Sequence, residues 1–212
     1  MIKTVITAAG RGTRLLPFTI EMPKEMMPFF TKTHGNNRSV IPFLQYIFEQ
    51  FYSMKFTDYC FVVGRDKRSI EDHFTRHQSY LNELSWNNKK MMSNFYKKLE
   101  NCNLSWVNQS KPLGFGDAVQ KAEKFVGYED FILQAGDISI ISRHKHPILR
   151  LIDMAKKNSD VSAILVCKKV KNTKKKAVII HNDDYTPMEF EVWILMVFFH
   201  NAAEEATSIM HE

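Results

Sequence analysis

Ile2-Lys3-Thr4-Val5-Ile6-Thr7-Ala8-Ala9-Gly10-Arg11-Gly12-Thr13-Arg14 decides how the rest of the chain is read. A β-branched run passes into two alanines and then two glycines, which is the pattern of a strand ending in a tight turn. Small residues at Ala8, Ala9, Gly10 and Gly12 let a ligand approach the backbone, and exposed N–H groups in such a turn hold anionic oxygens. The spacing has no third glycine at the dinucleotide offset, and it does not fit the Walker A pattern. On these residues alone, a glycine-rich β-to-helix turn with no ligand remains the alternative.

Outward from that strand, the hydrophobic period switches repeatedly. Val40 to Phe56 carries apolar residues at helical spacing, and Asp58 to Gly64 is a compact apolar strand ending in glycine. Ser69 to about Leu84 and Lys89 to Leu99 read as helices, and Leu104 to Asn108 as a short strand. Gly116 to Phe125 follows as a helix, Phe131 to Leu133 as a strand, Pro147 to Lys157 as a helix and Val161 to Cys167 as a strand. Near-continuously apolar strands alternating with helices predict an α/β fold, a mostly parallel Rossmann-like sheet with helices on both faces. Ligands of such sheets lie at the carboxyl ends of the strands, near a topological switch point.

The bulk numbers narrow the class. The 212 residues are 44% hydrophobic and 25% charged, a globular composition. No apolar run approaches the roughly 18–20 residues of a membrane span, and no signal-peptide pattern is present, so no membrane association is expected. Three widely spaced cysteines, Cys60, Cys102 and Cys167, predict free thiols and a cytoplasmic location. The net charge of +6 hides a break. Residues 1–176 hold 29 basic against 16 acidic residues, a net of +13, while 177–212 hold seven acids and no Lys or Arg. The Lys168 to Lys176 run lacks interleaved aromatics, so it reads as a solvated loop and nucleic acid is not an expected partner. His144 and His146 read as surface or capping residues.

Two further motifs give the loop its meaning. Gly10-Arg11-Gly12-Thr13-Arg14 with Pro17 is followed by Pro23-Lys24-Glu25-Met26-Met27-Pro28, and together they resemble the sugar-phosphate nucleotidyltransferases. Within that family the pattern is most similar to the UTP–glucose-1-phosphate uridylyltransferases of the bacterial and archaeal type. Pro42-Phe43-Leu44-Gln45-Tyr46, Gln109-Ser110-Lys111-Pro112-Leu113-Gly114 and Gly136-Asp137 then fall in the family's order. The resemblance spans roughly residues 2 to 176. It implies that Ala8, Ala9, Gly10, Gly12 and Thr13 wrap the nucleotide, and that Arg14 and Lys24 contact its phosphates as the catalytic cations. It also implies that Gln109 and Gly114 meet the uracil edge and that Asp137 binds Mg2+. The structural alternatives are a surface glutamine for Gln109 and a turn-capping aspartate for Asp137.

The tail reads as a different text. Ala177-Val178-Ile179-Ile180-His181-Asn182-Asp183-Asp184-Tyr185-Thr186-Pro187 predicts a strand and an Asx turn, with Thr186 as N-cap and Pro187 at the first helical position. Helices are expected to about Phe199 and over about Ala202 to Met210. This segment resembles the opening of the ClpS-type adaptors of the Clp protease. The resemblance implies degron binding by Asn182 and Asp183 and makes Clp a partner of a functional tail. The expected domains are thus 1–176, a nucleotidyltransferase domain, and 177–212, a partial ClpS-like segment. Two coding segments joined near Lys174–Lys176 would account for the charge break.

The nucleotidyltransferase family also carries a sugar-contacting segment, a Glu-Lys-Pro motif and a second metal-binding Asp, none of which appears in this sequence. The expected domain is therefore C-terminally truncated, with nucleotide binding intact and turnover very low. Incomplete cores predict exposed apolar surface and self-association. The implied partners are UTP and a sugar 1-phosphate, and the implied reaction is UDP-glucose formation by in-line attack on the α-phosphorus.

Overall fold

In the computed structural model, which describes residues 2–32, 38–142 and 145–157, Lys3–Ala8 forms strand β1 of a four-stranded sheet. β4 (Asp58–Gly64), β5 (Asn103–Gln109) and β6 (Phe131–Ala135) complete it in the order β5-β4-β1-β6. All three pairings are parallel. β1 runs from Thr4 opposite Tyr59 to Ala8 opposite Val63, and on its other side from Lys3 opposite Phe131 to Thr7 opposite Ala135. The chain therefore builds outward from β1 through β4 to β5, then crosses back to place β6 on the far side. The strand order reverses between β1 and β6, which is where doubly wound sheets open a crevice.

The side-chain period of two sorts the sheet into two covered faces. Tyr59 and Phe61 point into an aromatic layer supplied by α1 (Phe43–Ser53) and α4 (Trp86–Glu100). There the Phe48 and Tyr59 ring centroids lie 5.0 Å apart, and Phe61 stacks on Trp106 at 4.7 Å. On the opposite face Val5, Cys60 and Val62 pack with Ala118, Ala122 and Val126 from α5 (Phe115–Lys121) and α6 (Glu123–Val126). Cys60 is a buried free thiol, as expected, and burial pushes it up to about 11. At the amino end of the sheet, Lys3 Nζ donates to Phe125 O at 2.7 Å and Val126 O at 3.1 Å, a cation closing the carbonyl end of α6.

Several expected elements are divided or shifted. Val40 to Phe56 is not one helix. β2 (Pro28–Lys32) and β3 (Arg38–Pro42) form an antiparallel hairpin, and α1 begins only after Pro42. Pro42 has no N–H to donate and sits at φ −57°, so it suits the last strand position and the residue before the first turn. Phe29 packs on Tyr46 at 4.3 Å, which holds the hairpin against α1. The Ser69 to Leu84 stretch splits into α2 (Arg68–His73) and α3 (Gln78–Glu83). Gly116 to Phe125 splits into α5 and α6 at Ala122. β4 has the expected bounds, and α7 (Pro147–Lys157) starts at the expected residue.

Met1–Ser139 is one compact unit, and the chain from Ile140 belongs to a second. In the second, His146 Nδ1 accepts from Ile148 N at 3.4 Å at the start of α7, the capping role expected of it. The expected strand Val161 to Cys167, the lysine run and the whole tail with Asn182 and Asp183 lie outside the described residues, as does His144. Among the described residues no helix is long and apolar enough to cross a membrane.

His73 is a partly buried titratable group of the aromatic layer. Its ring stacks on Phe95 at 5.2 Å, and Nε2 donates to Gln45 Oε1 at 2.8 Å. The Gln45 amide nitrogen is committed to Glu49 at 2.9 Å, so its carbonyl oxygen faces the ring. Burial pushes His73 down to about 4, so it folds neutral. The unfolded chain binds this proton near pH 6.5. Its contribution is therefore complete above that pH and is lost as pH falls towards 4. We predict that denaturant unfolding of the wild type loses about 2–3 kcal/mol from this residue across that window. His73→Phe should show a shallower slope over the same window, and equal slopes would show that His73 is not the source.

Candidate functional site

The working edge of the sheet is the carboxyl end, where β1, β4, β5 and β6 deliver their loops. After β1 the chain does not enter an α-helix. Ala8 and Ala9 are buried, Gly10 is exposed, and Thr13–Leu15, Phe18–Ile20 and Lys24–Met26 form short 3-10 turns. Gly12 sits at φ +69°, and a Cβ there would lie 2.9 Å from the Thr19 methyl, so the position admits only glycine comfortably. Thr19 Oγ1 donates to Gly12 O at 2.8 Å and fixes the turn. Thr13 and Arg14 are exposed on the turn that follows.

At the switch point between β1 and β6, Lys24 Nζ lies 2.6 Å from Asp137 Oδ2. The same ammonium is the nearest group to the open side of Gly10, 3.4 Å from where a Cβ would stand. Three residues from separate sequence motifs thus meet in one place. Asp137 follows Gly136, whose N–H donates to Thr7 O at 2.8 Å and whose missing Cβ would lie 2.9 Å from that oxygen. The glycine brings the Asp137 carboxylate in against β1.

A cleft of about 310 Å³ opens beside this point, lined by Ala9, Arg11, Gly64, Arg65, Gln109 and Lys111 among others. Gln109 is the last residue of β5 and is buried. Its amide nitrogen donates to Gly114 O at 3.0 Å and to Asp117 Oδ2 at 2.7 Å. Gly114 precedes α5 at φ +102°, a left-handed backbone that favours glycine. Ala9 and Gln109 therefore share a cleft, while Gly10, Lys24 and Asp137 form a charged cluster next to it at the end of β1.

The structure adds groups that were not assigned from the sequence. Glu25 and Lys67, 42 positions apart, form a buried ion pair at 2.8 Å. Burial pushes the Glu25 carboxyl above its ordinary range, against the opposing pull of Lys67. Desolvation outweighs the attraction here, so the pair is better explained as a fixture than as a source of stability. It ties the Lys24–Met26 turn to the start of α2, and the Glu25 Cγ packs 3.3 Å from the Gly136 Cβ position. Arg11, Arg65 and Lys111 add cationic lining to the cleft. Arg11 was visible between the two glycines, whereas Arg65 and Lys111 needed the strand order to bring them together.

Among the described residues no group of three or more His, Cys, Asp or Glu could hold a metal ion. Asp137 offers a single carboxylate. That donor set does not make a cation cage. It does fit a hard divalent ion that keeps several waters and takes its other oxygens from a phosphate ligand.

The nucleotidyl transferase family model matches residues 3–191. The chain belongs to the nucleotidyl transferase family. It is 39% identical over 153 residues to the UTP–glucose-1-phosphate uridylyltransferase YngB of Bacillus subtilis, an alignment covering 70% of this chain and 46% of that protein. It is 38% identical over 135 residues to the UTP–glucose-1-phosphate uridylyltransferase of Streptococcus pneumoniae, covering 64% and 42%. The chain thus spans less than half the length of these relatives. Among solved structures, apo-UDP-glucose pyrophosphorylase matches with a TM-score of 0.63 and 29% identity, over 75% of this chain and 56% of that one. The UTP-bound enzyme from Acinetobacter baumannii matches at 0.60 and 27%, over 75% and 54%. Residues 171–212 match the family model of the ATP-dependent Clp protease adaptor protein ClpS, and the two family matches overlap over 171–191.

The two glycines on either side of the charged cluster separate packing from access. Gly136→Ala should force its methyl into Thr7 O and destabilise the fold by about 1–3 kcal/mol, read as a lower Tm. Gly10→Ala meets only ordinary contact with Lys24, so its Tm should stay near wild type while affinity for a nucleoside triphosphate falls. Equal Tm losses in the two variants would contradict this division.

Proposed function

We propose that this chain binds UTP, with the base in the cleft at the ends of β1, β4 and β5 and the phosphates along the loop after β1. The chemistry served is transfer of the uridylyl group to glucose 1-phosphate, giving UDP-glucose and pyrophosphate. The observation that carries the reading is the convergence of Lys24, Asp137 and Gly10 beside a cleft containing Gln109.

In this reaction a phosphate oxygen of glucose 1-phosphate attacks the α-phosphorus of UTP in line. A new P–O bond forms as the bond to the pyrophosphate leaving group breaks, with no covalent enzyme intermediate. Backbone N–H groups of Gly10, Gly12 and Thr13 face the phosphate oxygens, and Ala8 and Ala9 allow close approach. Arg14 and Lys24 neutralise the charge that builds on the transferred phosphoryl group and the leaving group. Asp137 would hold Mg2+, which supplies Lewis-acid stabilisation at the α-phosphate when bound. Gln109 faces the pyrimidine edge, and Gly114 fixes the turn behind it. Catalysis on this scheme is alignment plus charge neutralisation.

We assign residues 1–176 to this activity and place the chain in the cytoplasm, where its nucleotide and sugar phosphate substrates reside. UDP-glucose formation by the chain alone should fall far below that of its relatives, whose remaining length it does not span. UTP with Mg2+ should raise the Tm by several degrees at saturating ligand, through preferential binding to the folded state. Arg14→Ala and Lys24→Ala should each weaken UTP binding about tenfold or more. No thermal shift with any pyrimidine nucleoside triphosphate would overturn the proposal.

A second reading applies to residues 177–212, because the ClpS family model matches there. On that reading Asn182 and Asp183 hold the α-amino group of a client peptide, and the Clp protease is the partner. A peptide beginning with Phe or Leu should bind the full chain, with binding lost in Asp183→Ala. Indistinguishable titrations for the two proteins would remove this reading.

A further inference from the structure

We infer that Asp117 is a positioning residue for base selectivity, because it locks the Gln109 side-chain amide with its carbonyl oxygen as the group left for the cleft. This rests on the proposal that the cleft beside Gln109 receives the nucleotide base.

Gln109 ends β5 and is only 4% exposed, yet it lines the cleft. Its Nε2 lies 2.7 Å from Asp117 Oδ2 and 3.0 Å from Gly114 O. An amide nitrogen carries two protons, while a carboxylate and a backbone carbonyl are acceptors only. Both protons are therefore committed inward. The opposite amide orientation would set Oε1 against two oxygens in a buried position, so the assignment does not depend on seeing hydrogens. Asp117 is itself held, with Lys121 Nζ 3.2 Å from its other oxygen one turn along α5.

A free glutamine is ambidextrous, since it flips to donate or to accept. Two fixed acceptors remove that choice, and Gln109 can offer a ligand only a hydrogen-bond acceptor. Uracil and thymine present a donor at N3–H, whereas cytosine presents an acceptor at the same ring position. An acceptor in the cleft pairs with the first and opposes the second. Gly114 supplies its carbonyl from the backbone whatever the sequence, but Asp117 is a side chain and can be changed. Selectivity for a uracil-type edge is thus assigned one residue behind the group that touches the base.

The test is the ratio of UTP to CTP affinities, measured by titration calorimetry with Mg2+ on the full chain and its variants. The wild type should bind UTP about tenfold or more tightly than CTP, the scale expected when a buried polar group faces the wrong partner. Asp117→Ala should collapse that ratio to about threefold or less, mainly by losing UTP affinity. Asp117→Asn keeps an acceptor oxygen at the same reach and should restore most of the ratio, a rescue that a merely structural role does not predict. If Asp117→Ala proves unfolded by its Tm, Asp117→Ser, whose hydroxyl is too short to reach Nε2, takes its place. A folded Ala or Ser variant with the wild-type ratio overturns the inference. So does a wild type that binds UTP without preference over CTP, and in that case the nucleotide-binding proposal still stands. Failure of the wild type to bind either nucleotide overturns both.

Discussion

The arrangement depends on β1 being hydrogen-bonded on both sides by parallel strands. A strand flanked by β4 and β6 in the same direction has no edge and no solvent face, so its residues are apolar or small from Thr4 to Ala9. Parallel pairing also sends every carboxyl end to one side. Gly10 after β1, Gln109 at the end of β5 and Asp137 just after β6 therefore arrive at one edge of the sheet although they are far apart in sequence. A mixed sheet with β6 reversed would carry Asp137 to the opposite edge and leave Lys24 facing nothing.

Charge at this edge is held in a definite way. Lys24 is set opposite Asp137, and the adjacent Glu25 is buried against Lys67. Two neighbouring residues of one 3-10 turn thus point in different directions. One reaches Asp137 and the loop after β1, and the other anchors in the protein beneath α2. The buried pair is a costly way to fasten a loop, because removing both charges from water opposes folding. Its benefit is geometric, since a turn of three residues has too little hydrogen bonding of its own to fix where a lysine side chain starts. Gly136 completes the clasp by letting the Asp137 segment press against Thr7 O.

Much of this was legible in the sequence, and the limits have physical causes. β4 and the start of α7 were readable to the residue, because a continuous apolar run bounded by Gly64 and a helix opened by Pro147 are both local signals. The β2–β3 hairpin was not, because Val40 and Ile41 carry the same apolar character whether a strand or a helix follows. The pairing with Pro28–Lys32 decides between them, with Phe29 packed on Phe43 and Tyr46. Gly10, Gly12, Lys24, Gln109 and Asp137 stood out as motif residues, and the fold brings them to one edge. Lys67 did not stand out, since a lysine after a strand is usually solvated, and its partner is 42 positions away. The inward lock on Gln109 was equally hidden, because it needs the α5 turn to bring Asp117 back over the strand end.

One consequence of the β4–β5 register concerns which changes the chain can absorb. Gly64 pairs with Gln109 at the last rung of seven aligned positions. A strand alternates faces at every residue, so slipping the whole of β5 by one residue against β4 would turn Phe61's partner Trp106 out of the aromatic layer. The same slip would rotate Gln109 away from the cleft. Core and site are thus subject to one parity rule. A one-residue slip of this strand therefore disturbs the aromatic layer and the cleft lining together, whereas a change in the length of a connection leaves both in register.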